Sequence, residues 1–289
     1  WSQPYNLYFP MVHTSKRVIE EWNSNGKNGW ADNPDPALID FSVSNRQSYC
    51  TESESNRVVD LTSAGAPLNP LGRTGTIQRG SLGRWGVNNK LVLAVQRKSR
   101  VDAMEILLVK NIKSGLWELP SGYASLNRTA LADLKLLLLG HLLSDQPQPV
   151  QRVIKAEVDW MLEQIIDRDI EQLGQIRNSR RWPCTDHAWV EATLFHARTN
   201  EIEGYSCLDI PSLNQSSIQW TSLTSIFVPV DPEHKQYLSR VRQFNRASAR
   251  SRLVEGYLCL IFIACVVLGC IGWLIPQSPV QKRFSVKGL

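Results

Sequence analysis

Residues 65–89 combine residue types that could bind a phosphate group. Their sequence, GAPLNPLGRTGTIQRGSLGRWGVNN, is dense in Gly, Pro, Asn and Arg and has almost no hydrophobic periodicity. Glycines let backbone N–H groups approach a ligand, and the interleaved Arg73, Arg79 and Arg84 offer charge and bidentate hydrogen bonds. The alternative is a long surface connection built from turn residues, and local chemistry alone favours neither.

A second stretch, residues 116–144, predicts a helix after a Gly-containing turn. Strong helix formers run from about Arg128 to Leu143, and Asn127 could cap the helix. Leu131, Leu134, Leu138 and Leu142 form one apolar stripe, which predicts a face directed at the core. Leu136, Leu137 and Leu139 extend the apolar surface. His141 could bind a transition metal or act as a base, but a lone His at a helix end is more often structural.

The flanking segments predict the elements that position these two stretches. Residues 91–98 and 103–110 are short, β-rich apolar runs that favour adjacent strands. Further along, apolar residues recur at helical spacing, and the acids between them indicate a solvated face. The apolar positions are Val153, Ile154, Val158, Met161, Leu162 and Ile165, and the acids are Glu157, Asp159, Glu163, Asp167 and Asp169.

Bulk composition indicates ordinary globular material plus one exceptional segment. The 289 residues are 43% hydrophobic and 20% charged, with a formal net charge of +5. The six cysteines contain no CxxC pair, which argues against a disulfide framework or a zinc site and favours a reducing compartment. Residues 1–63 show weak periodicity. Because the first residue is Trp, we expect a fragment or a processed product.

The exceptional segment is Gly256–Pro276, an uncharged run of 21 residues that is long enough to cross ~30 Å of hydrocarbon as a helix. Five arginines precede it with no acid between Glu233 and Glu255, which favours a membrane-surface role over nucleic-acid binding. We therefore expect a single-pass membrane protein with its globular part in the cytosol and no nucleic-acid partner. The arginines are Arg240, Arg242, Arg246, Arg250 and Arg252.

Several spaced motifs resemble Nudix hydrolases, in particular the mitochondrial ADP-ribose pyrophosphatases and the Nudix-homology domain of ADP-ribose-gated melastatin channels. Residues 67–75 and 79–88 are similar to N-P-x-G-R-T-G…R-G-x-L-G-R-W-G-P-N-H, and residues 185–191 to T-D-N-A-W-x-E. Residues 117–122 resemble W-x-x-P-G-G, with Ser121 in place of the first Gly. Weaker matches are residues 30–32 (W-A-D), 218–220 and 232–237. The resemblance covers roughly residues 28–246.

The resemblance implies an α/β fold, a Nudix α/β/α sandwich with a mixed sheet, behind a smaller amino-terminal lobe. The apolar run, and not the resemblance, predicts the C-terminal transmembrane helix that follows. The divisions that we expect from the resemblance and the apolar run together are 1–85 (lobe and Gly/Arg-rich loop), 86–250 (Nudix-like domain), 254–276 (transmembrane helix) and 277–289 (tail). The residues implied to bind the ligand are Arg73, Gly75, Arg79, Asn88, Leu119, Gly122, Asp186 and His234. By the same analogy, a mitochondrial location is the alternative to the cytosol.

The family's catalytic carboxylates are absent. The family motif has a Glu six residues after the Gly, then an Arg-Glu pair and a Glu-Glu pair, and laid without gaps from Gly122 these positions fall on Arg128, Leu136, Leu137, Gly140 and His141. Mg²⁺ requires oxygen ligands, so we expect no catalytic residue, metal or cofactor here, and Mg²⁺ only if an enzymatic alternative holds. The D-P-R-N segment that helps grip ADP-ribose in the family is replaced by residues 181–184, and a stacking Tyr by Asp231. Arg180 or Arg181 could substitute for the lost Arg.

The sequence therefore predicts a protein that recognises ADP-ribose, or a related nucleoside diphosphate, without hydrolysing it. One alternative is an active ADP-ribose diphosphatase, releasing AMP and ribose 5-phosphate, whose carboxylates are displaced. The other is a membrane-tethered interaction module in which the leucines at 136–139 dock a partner. Neither family is expected to carry a membrane span here, so the run at Gly256–Pro276 is either a genuine fusion or an erroneous exon.

Overall fold

The structure is a computed structural model, and it describes residues 1, 7–49, 58–98, 104–125, 128–143, 146–166, 170–177, 183–198 and 217–250. The chain divides into two compact units, Trp1–Val241 and Arg242–Leu289. In the second unit, the described residues 242–250 are helical. Asn127, Arg180, Arg181 and the run Gly256–Pro276 lie outside the described residues, as does every cysteine except Cys184.

The amino-terminal lobe contains regular elements that weak periodicity did not predict. Strand β1 (Met11–Thr14) leads into helix α1 (Lys16–Asn25), and β2 (Thr76–Gly80) pairs with β1 in parallel. Helix α1 buries Val18, whereas most of its other residues stay exposed. Because so little of α1 is apolar and inward, its sequence pattern resembles that of a loop.

The central element is a mixed sheet in which β3, Gly86–Lys98, is the long inner strand. It pairs in parallel with β8 over eleven residue pairs and antiparallel with β4. Among the described residues the sheet has seven strands in the order β5-β4-β3-β8-β7, with β6 on β3 and β9 on β4. Their bounds are β4 (Met104–Lys110), β5 (Trp117–Glu118), β6 (Ser121–Tyr123), β7 (Ile170–Arg177), β8 (Ala188–Arg198) and β9 (Ile218–Ser222).

Helices cover both faces of this sheet. Successive strand residues point to opposite faces, so Leu91 and Leu93 of β3 join one core while Val92 and Ala94 join another. Helices α2 (Ala130–Leu143) and α3 (Gln148–Ile166) complete the first core. The start of helix α4, residues 232–250, completes the second through Tyr237, Leu238 and Val241. The mixed α/β fold in three layers is therefore confirmed, as are the adjacent strands β3 and β4.

Helix α2 turns the predicted apolar stripe toward the sheet. Leu134, Leu138 and Leu142 are fully buried, whereas the side chain of Leu131 is outside the description. In α3, Ile154 and Val158 are buried as predicted. The prediction that Val153 lies on the same buried face is wrong, because Val153 is half exposed. Val153 precedes Ile154 by one position, and adjacent positions on a helix point about 100° apart.

Within the ranges described above, the structure contains no helix long and apolar enough to cross a bilayer. The predicted span lies beyond residue 250, where the description ends. The boundaries predicted at residues 85, 250, 254 and 276 stay predictions.

Candidate functional site

A cleft of about 1360 Å³ opens between the amino-terminal lobe and the sheet. One wall comes from the lobe, with Trp30 and Asp32 at its centre. The loop 81–84, the end of β6 with the residues that follow it, and helix α2 supply the other wall. Ligand sites of proteins commonly hold 300–1,000 Å³, so this cleft has room for a dinucleotide-sized molecule.

Helix α2 presents apolar surface and one carboxylate to the cleft. Leu136 is 50% exposed there, and Leu137 lines the cleft beside it. The carboxylate belongs to Asp133, whose Oδ2 accepts a 2.6 Å hydrogen bond from the Ser125 N–H and whose Oδ1 lies 3.8 Å from Arg128 Nε. Asp133 therefore already serves to hold the loop that enters α2.

These residues do not fit a divalent cation. Mg²⁺ takes oxygen ligands in near-octahedral array, and Leu136 and Leu137 offer none. Gly140 is exposed, and His141 Nε2 lies 3.5 Å from the backbone oxygen of Ser121. Within the described parts of the chain, no three His, Cys, Asp or Glu side chains are grouped so that they could hold a metal ion.

The lobe side of the cleft is organised by a buried ion pair. Both guanidinium nitrogens Nη1 and Nη2 of Arg46 lie 2.7 Å from the carboxylate oxygens of Asp32, and Trp85 donates its N–H to the same carboxylate at 3.0 Å. Trp30 stands next to this pair, 40% exposed, with the Arg17 guanidinium 5.2 Å from its ring centroid. Sequence reasoning had only the short W-A-D match as a signal for these residues.

Arg84 supplies a buried cation at the cleft wall. Its residue is 9% exposed, and its Nη2 donates a 2.6 Å hydrogen bond to the Ala124 carbonyl. Burial lowers the pKa of this guanidinium, and the charge of Asp32 opposes the shift. No carboxylate among the described residues lies within salt-bridge distance of Arg84, although other pairs in the cleft do form.

The predicted ligand residues Arg73, Gly75 and Asp186 lie in one cluster, where each contacts other groups of the protein. Asp186 Oδ1 accepts hydrogen bonds from the N–H of Thr74 at 2.6 Å and from its hydroxyl at 2.8 Å. Gly75 donates its N–H to the Tyr8 hydroxyl at 2.9 Å and adopts φ +91°, which favours glycine. The guanidinium of Arg73 lies 5.4 Å from the Trp1 ring and 5.2 Å from the Tyr8 ring.

Arg79 and Asn88 hold the loop that carries Arg84. Arg79 is 2% exposed and donates from Nη1 to the carbonyls of Asp32 and Gly83 at 2.6 and 3.1 Å. Asn88 accepts from the Arg84 N–H at 3.1 Å and donates to its carbonyl at 3.0 Å. Asn88 also lines the cleft, whereas Arg79 does not line it.

The remaining predicted residues are Gly122, which lies in β6, and Leu119 and His234, which are hydrogen-bonded to each other. Gly122 belongs to β6, where an added Cβ would stand 2.5 Å from Leu137 Cδ1. Leu119 is fully buried, and its N–H donates to His234 Nδ1 at 3.0 Å. Burial, followed by the charge of Lys90, lowers the pKa of His234 to about 4, so the ring is neutral at ordinary pH. Leu119 and His234 do not line the cleft.

The positions where the sequence departs from the family have structural roles where they are described. The Cys184 sulfur is buried and accepts the Val190 N–H at 3.4 Å. Asp231 Oδ1 accepts the Glu233 N–H at 2.8 Å at the start of α4, which is the bond of a helix N-cap. A capping carboxylate explains the use of Asp here without reference to a ligand.

Comparison with known proteins finds one family match for the amino-terminal lobe and several related proteins for most of the chain. Residues 1–86 match the family described as "NUDT9-like, N-terminal domain". The mitochondrial ADP-ribose pyrophosphatase of Rattus norvegicus is 23% identical over 263 residues, which cover 84% of this chain and 71% of that protein. The transient receptor potential cation channel subfamily M member-like 2 of Nematostella vectensis is 25% identical over 270 residues, 86% of this chain but 16% of the channel.

Among solved structures, the NUDIX domain of Shewanella oneidensis NrtR, complexed with ADP ribose, aligns with 55% of this chain and 88% of that domain at 18% identity and a TM-score of 0.35. The two sequence matches cover about seven tenths of the length of the pyrophosphatase and about one sixth of the length of the channel. The sequence matches agree with the expected resemblance: the chain is similar to an ADP-ribose pyrophosphatase and to part of a melastatin-type channel, and its amino-terminal part matches the NUDT9-like family.

Proposed function

We propose that the chain recognises ADP-ribose, or a related nucleoside diphosphate, in the cleft and does not hydrolyse it. The observation that carries this proposal is the composition of the cleft. It offers the exposed aromatic surfaces of Trp30 and Tyr123 and the buried cation Arg84, but α2 gives it leucines where metal-binding carboxylates would be needed. Aromatic rings stack on bases, and guanidinium groups bind phosphates.

Similarity to an ADP-ribose pyrophosphatase supports this choice of ligand class. The retained lobe supports it as well, because residues 1–86 match the amino-terminal domain family and supply Trp30, Asp32 and Arg46 to the cleft.

Two measurements on the full chain test the proposal. Isothermal titration with ADP-ribose should give binding heat, and chromatography of the same mixture with Mg²⁺ should show neither AMP nor ribose 5-phosphate. Trp30→Ala should weaken binding about tenfold, because stacking on one aromatic side chain is worth roughly 1–3 kcal/mol. Trp220→Phe, a change away from the cleft, is the matched control. Release of AMP by the purified chain would contradict the proposal.

The alternative of an active diphosphatase is favoured by one observation, that Asp133 directs a carboxylate at the cleft wall. The simplest version of such an enzyme would depend on Asp133 and Glu118. Product release that survives in Asp133→Asn and Glu118→Gln would remove this version of the enzymatic alternative.

The interaction module is favoured by Leu136, which exposes half of its surface on α2. An exposed leucine beside Leu137 could dock a protein partner. In that case Leu136→Ser would abolish association with the partner, whereas Trp30→Ala would leave that association unchanged and would weaken ADP-ribose binding.

We further propose that Gly256–Pro276 tethers the chain to a membrane as a single pass with the globular part in the cytosol. Its support is the uncharged run in the sequence together with Arg246 and Arg250, which are exposed on α4 just before it. A mitochondrial location is the alternative by analogy with the pyrophosphatase. Resistance of the full chain to alkaline extraction, and its loss on deletion of residues 256–276, tests the tether.

A further inference from the structure

Arg84 is a largely buried cation that has no direct ionic partner among the described residues. Buried charges in proteins are normally paired, because an isolated ion loses its hydration when it leaves water. Arg84 is 9% exposed, yet its guanidinium makes one hydrogen bond, to the Ala124 carbonyl, and meets no carboxylate of the described residues within 4.0 Å. Arg84 lines the cleft.

The acids nearest to Arg84 are already engaged. Asp32 is held by both terminal nitrogens of Arg46 and by the Trp85 N–H. Asp133 accepts the Ser125 N–H at 2.6 Å. Both carboxylates act on Arg84 through their charge, but neither lies within 4.0 Å of its guanidinium. An anion in the cleft would be its first direct ionic partner.

Arg128 brings a second cation to the same short segment. Arg84 is bonded to the carbonyl of Ala124, and Asp133 connects the next residue, Ser125, to Arg128. The Arg128 side chain is 50% exposed and lines the cleft. By the gapless alignment described above, Arg128 stands where the family has a carboxylate, so the charge at this position is reversed.

We propose that Arg84 and Arg128 bind the diphosphate of the ligand directly, in place of the metal ion that the residues of α2 do not fit. This inference rests on the proposed function and specifies how its ligand is held. Two guanidinium groups supply positive charge and fork-shaped pairs of N–H donors, which match phosphate oxygens. Binding is therefore independent of Mg²⁺ and weakens as ionic strength rises.

Calorimetry of the full chain tests this with two probes, ADP-ribose and inorganic pyrophosphate, each in a chelator and in Mg²⁺. The affinity in the chelator should equal or exceed that in Mg²⁺. Arg128→Gln should weaken both probes roughly tenfold, as expected for the loss of a charge-assisted hydrogen bond. Arg128→Lys, which keeps the charge but loses the fork, should fall between. Arg152→Gln removes the same charge from an exposed site on α3 and should change neither affinity.

The outcomes separate this inference from the proposed function. If ADP-ribose binds only with Mg²⁺, or binds equally well to Arg128→Gln, recognition stands and the arginine pair is overturned. If pyrophosphate binds without metal and through Arg128 while ADP-ribose gives no heat, the arginine pair stands and ADP-ribose recognition fails. Absence of heat from both probes overturns both. Arg84→Gln adds to the test if its circular dichroism is unchanged, and the exposed Arg128 keeps the test decisive if it is not.

Discussion

The hydroxyl of Tyr8 donates a 2.6 Å hydrogen bond to Asp186 Oδ2, across 178 residues of chain. The other oxygen of Asp186 binds both the N–H and the hydroxyl of Thr74. One carboxylate thus ties the start of the described chain and the Gly/Arg-rich loop to the segment before β8. A residue that the sequence suggests for ligand binding is in this structure a connector between two parts of the fold.

Asp186→Ala should therefore destabilise the fold strongly. It would leave the half-buried Thr74 N–H without its acceptor and would release Tyr8, a loss of about 2–4 kcal/mol in the free energy of unfolding. Tyr8→Phe removes a single hydrogen bond and should cost about 1 kcal/mol. Urea denaturation of both variants measures the difference. Equal stability of Asp186→Ala and the parent protein would contradict the connecting role.

The sequence predicted the inner sheet better than the lobe because the two are stabilised differently. Residues 91–95 are apolar at every position, as a strand buried on both faces requires, and the strand appears as predicted. The lobe depends instead on single long-range polar contacts, such as Arg46 with Asp32 and Ser48 with Glu191. A local sequence pattern cannot identify a hydrogen-bond partner that lies 143 residues away along the chain.

The sequence identified only some of the residues that line the cleft, again because long-range contacts decide which residues face it. The motif that contains Arg84 and Asn88 was found from the sequence, and both residues line the cleft. Arg79, in the same motif, bonds backbone carbonyls instead, and spacing cannot tell an arginine that supports a loop from one that faces a ligand. The difference depends on which carbonyls the fold brings within reach, here those of Asp32 and Gly83.

Two glycines at the cleft should respond differently to alanine. At Gly83 a Cβ would lie 2.5 Å from Trp30 Cε3 and 2.9 Å from the Trp30 carbonyl oxygen, and neither a packed indole nor a backbone group can move cheaply. Gly83→Ala should cost about 1–3 kcal/mol. At Gly122 the close atom is Cδ1 at the end of Leu137, which can rotate away, so Gly122→Ala should cost less than about 1 kcal/mol.

Thermal or urea unfolding of the two alanine variants tests this ranking. Because both glycines lie next to the cleft, ADP-ribose binding should be measured in parallel. A Gly122→Ala variant that is less stable than Gly83→Ala would mean that Leu137 is held more rigidly than Trp30.

As pH falls, the protein should begin to lose stability at pH values above those at which its carboxylates are protonated. The pKa of buried His234 is lowered to about 4, and an unfolded His titrates near about 6.5. Between these values the unfolded chain takes up a proton that the folded chain excludes, so stability is full above the unfolded pKa and falls as pH drops toward 4. His196, whose pKa burial and then Arg198 also lower to about 4, adds to the effect.

The size of the acid effect follows from the same linkage. Each of the two histidines should remove roughly 1–2 kcal/mol of unfolding free energy between about pH 7 and about pH 5. His234→Gln keeps an acceptor for the Leu119 N–H and removes one titrating group, so its loss over this interval should be smaller than that of the parent protein. Urea midpoints at the two pH values give the comparison. An unchanged pH dependence would show that His234 is not excluded from protonation.

The two faces of α2 can be distinguished by placing the same charge on each. Leu136 is 50% exposed at the cleft, so Leu136→Glu should change the free energy of unfolding by no more than about 0.5 kcal/mol. Leu138, two positions on, is fully buried against the sheet, and Leu138→Glu should cost more than about 4 kcal/mol because an unpaired carboxylate would replace core volume. Leu136→Glu also places one carboxylate at the wall of the cleft, but Leu137 beside it still offers no oxygen, so Mg²⁺ titration should show no new site. Binding of Mg²⁺ by Leu136→Glu would mean that Asp133 is free to serve as its second ligand, against the bond it makes to Ser125.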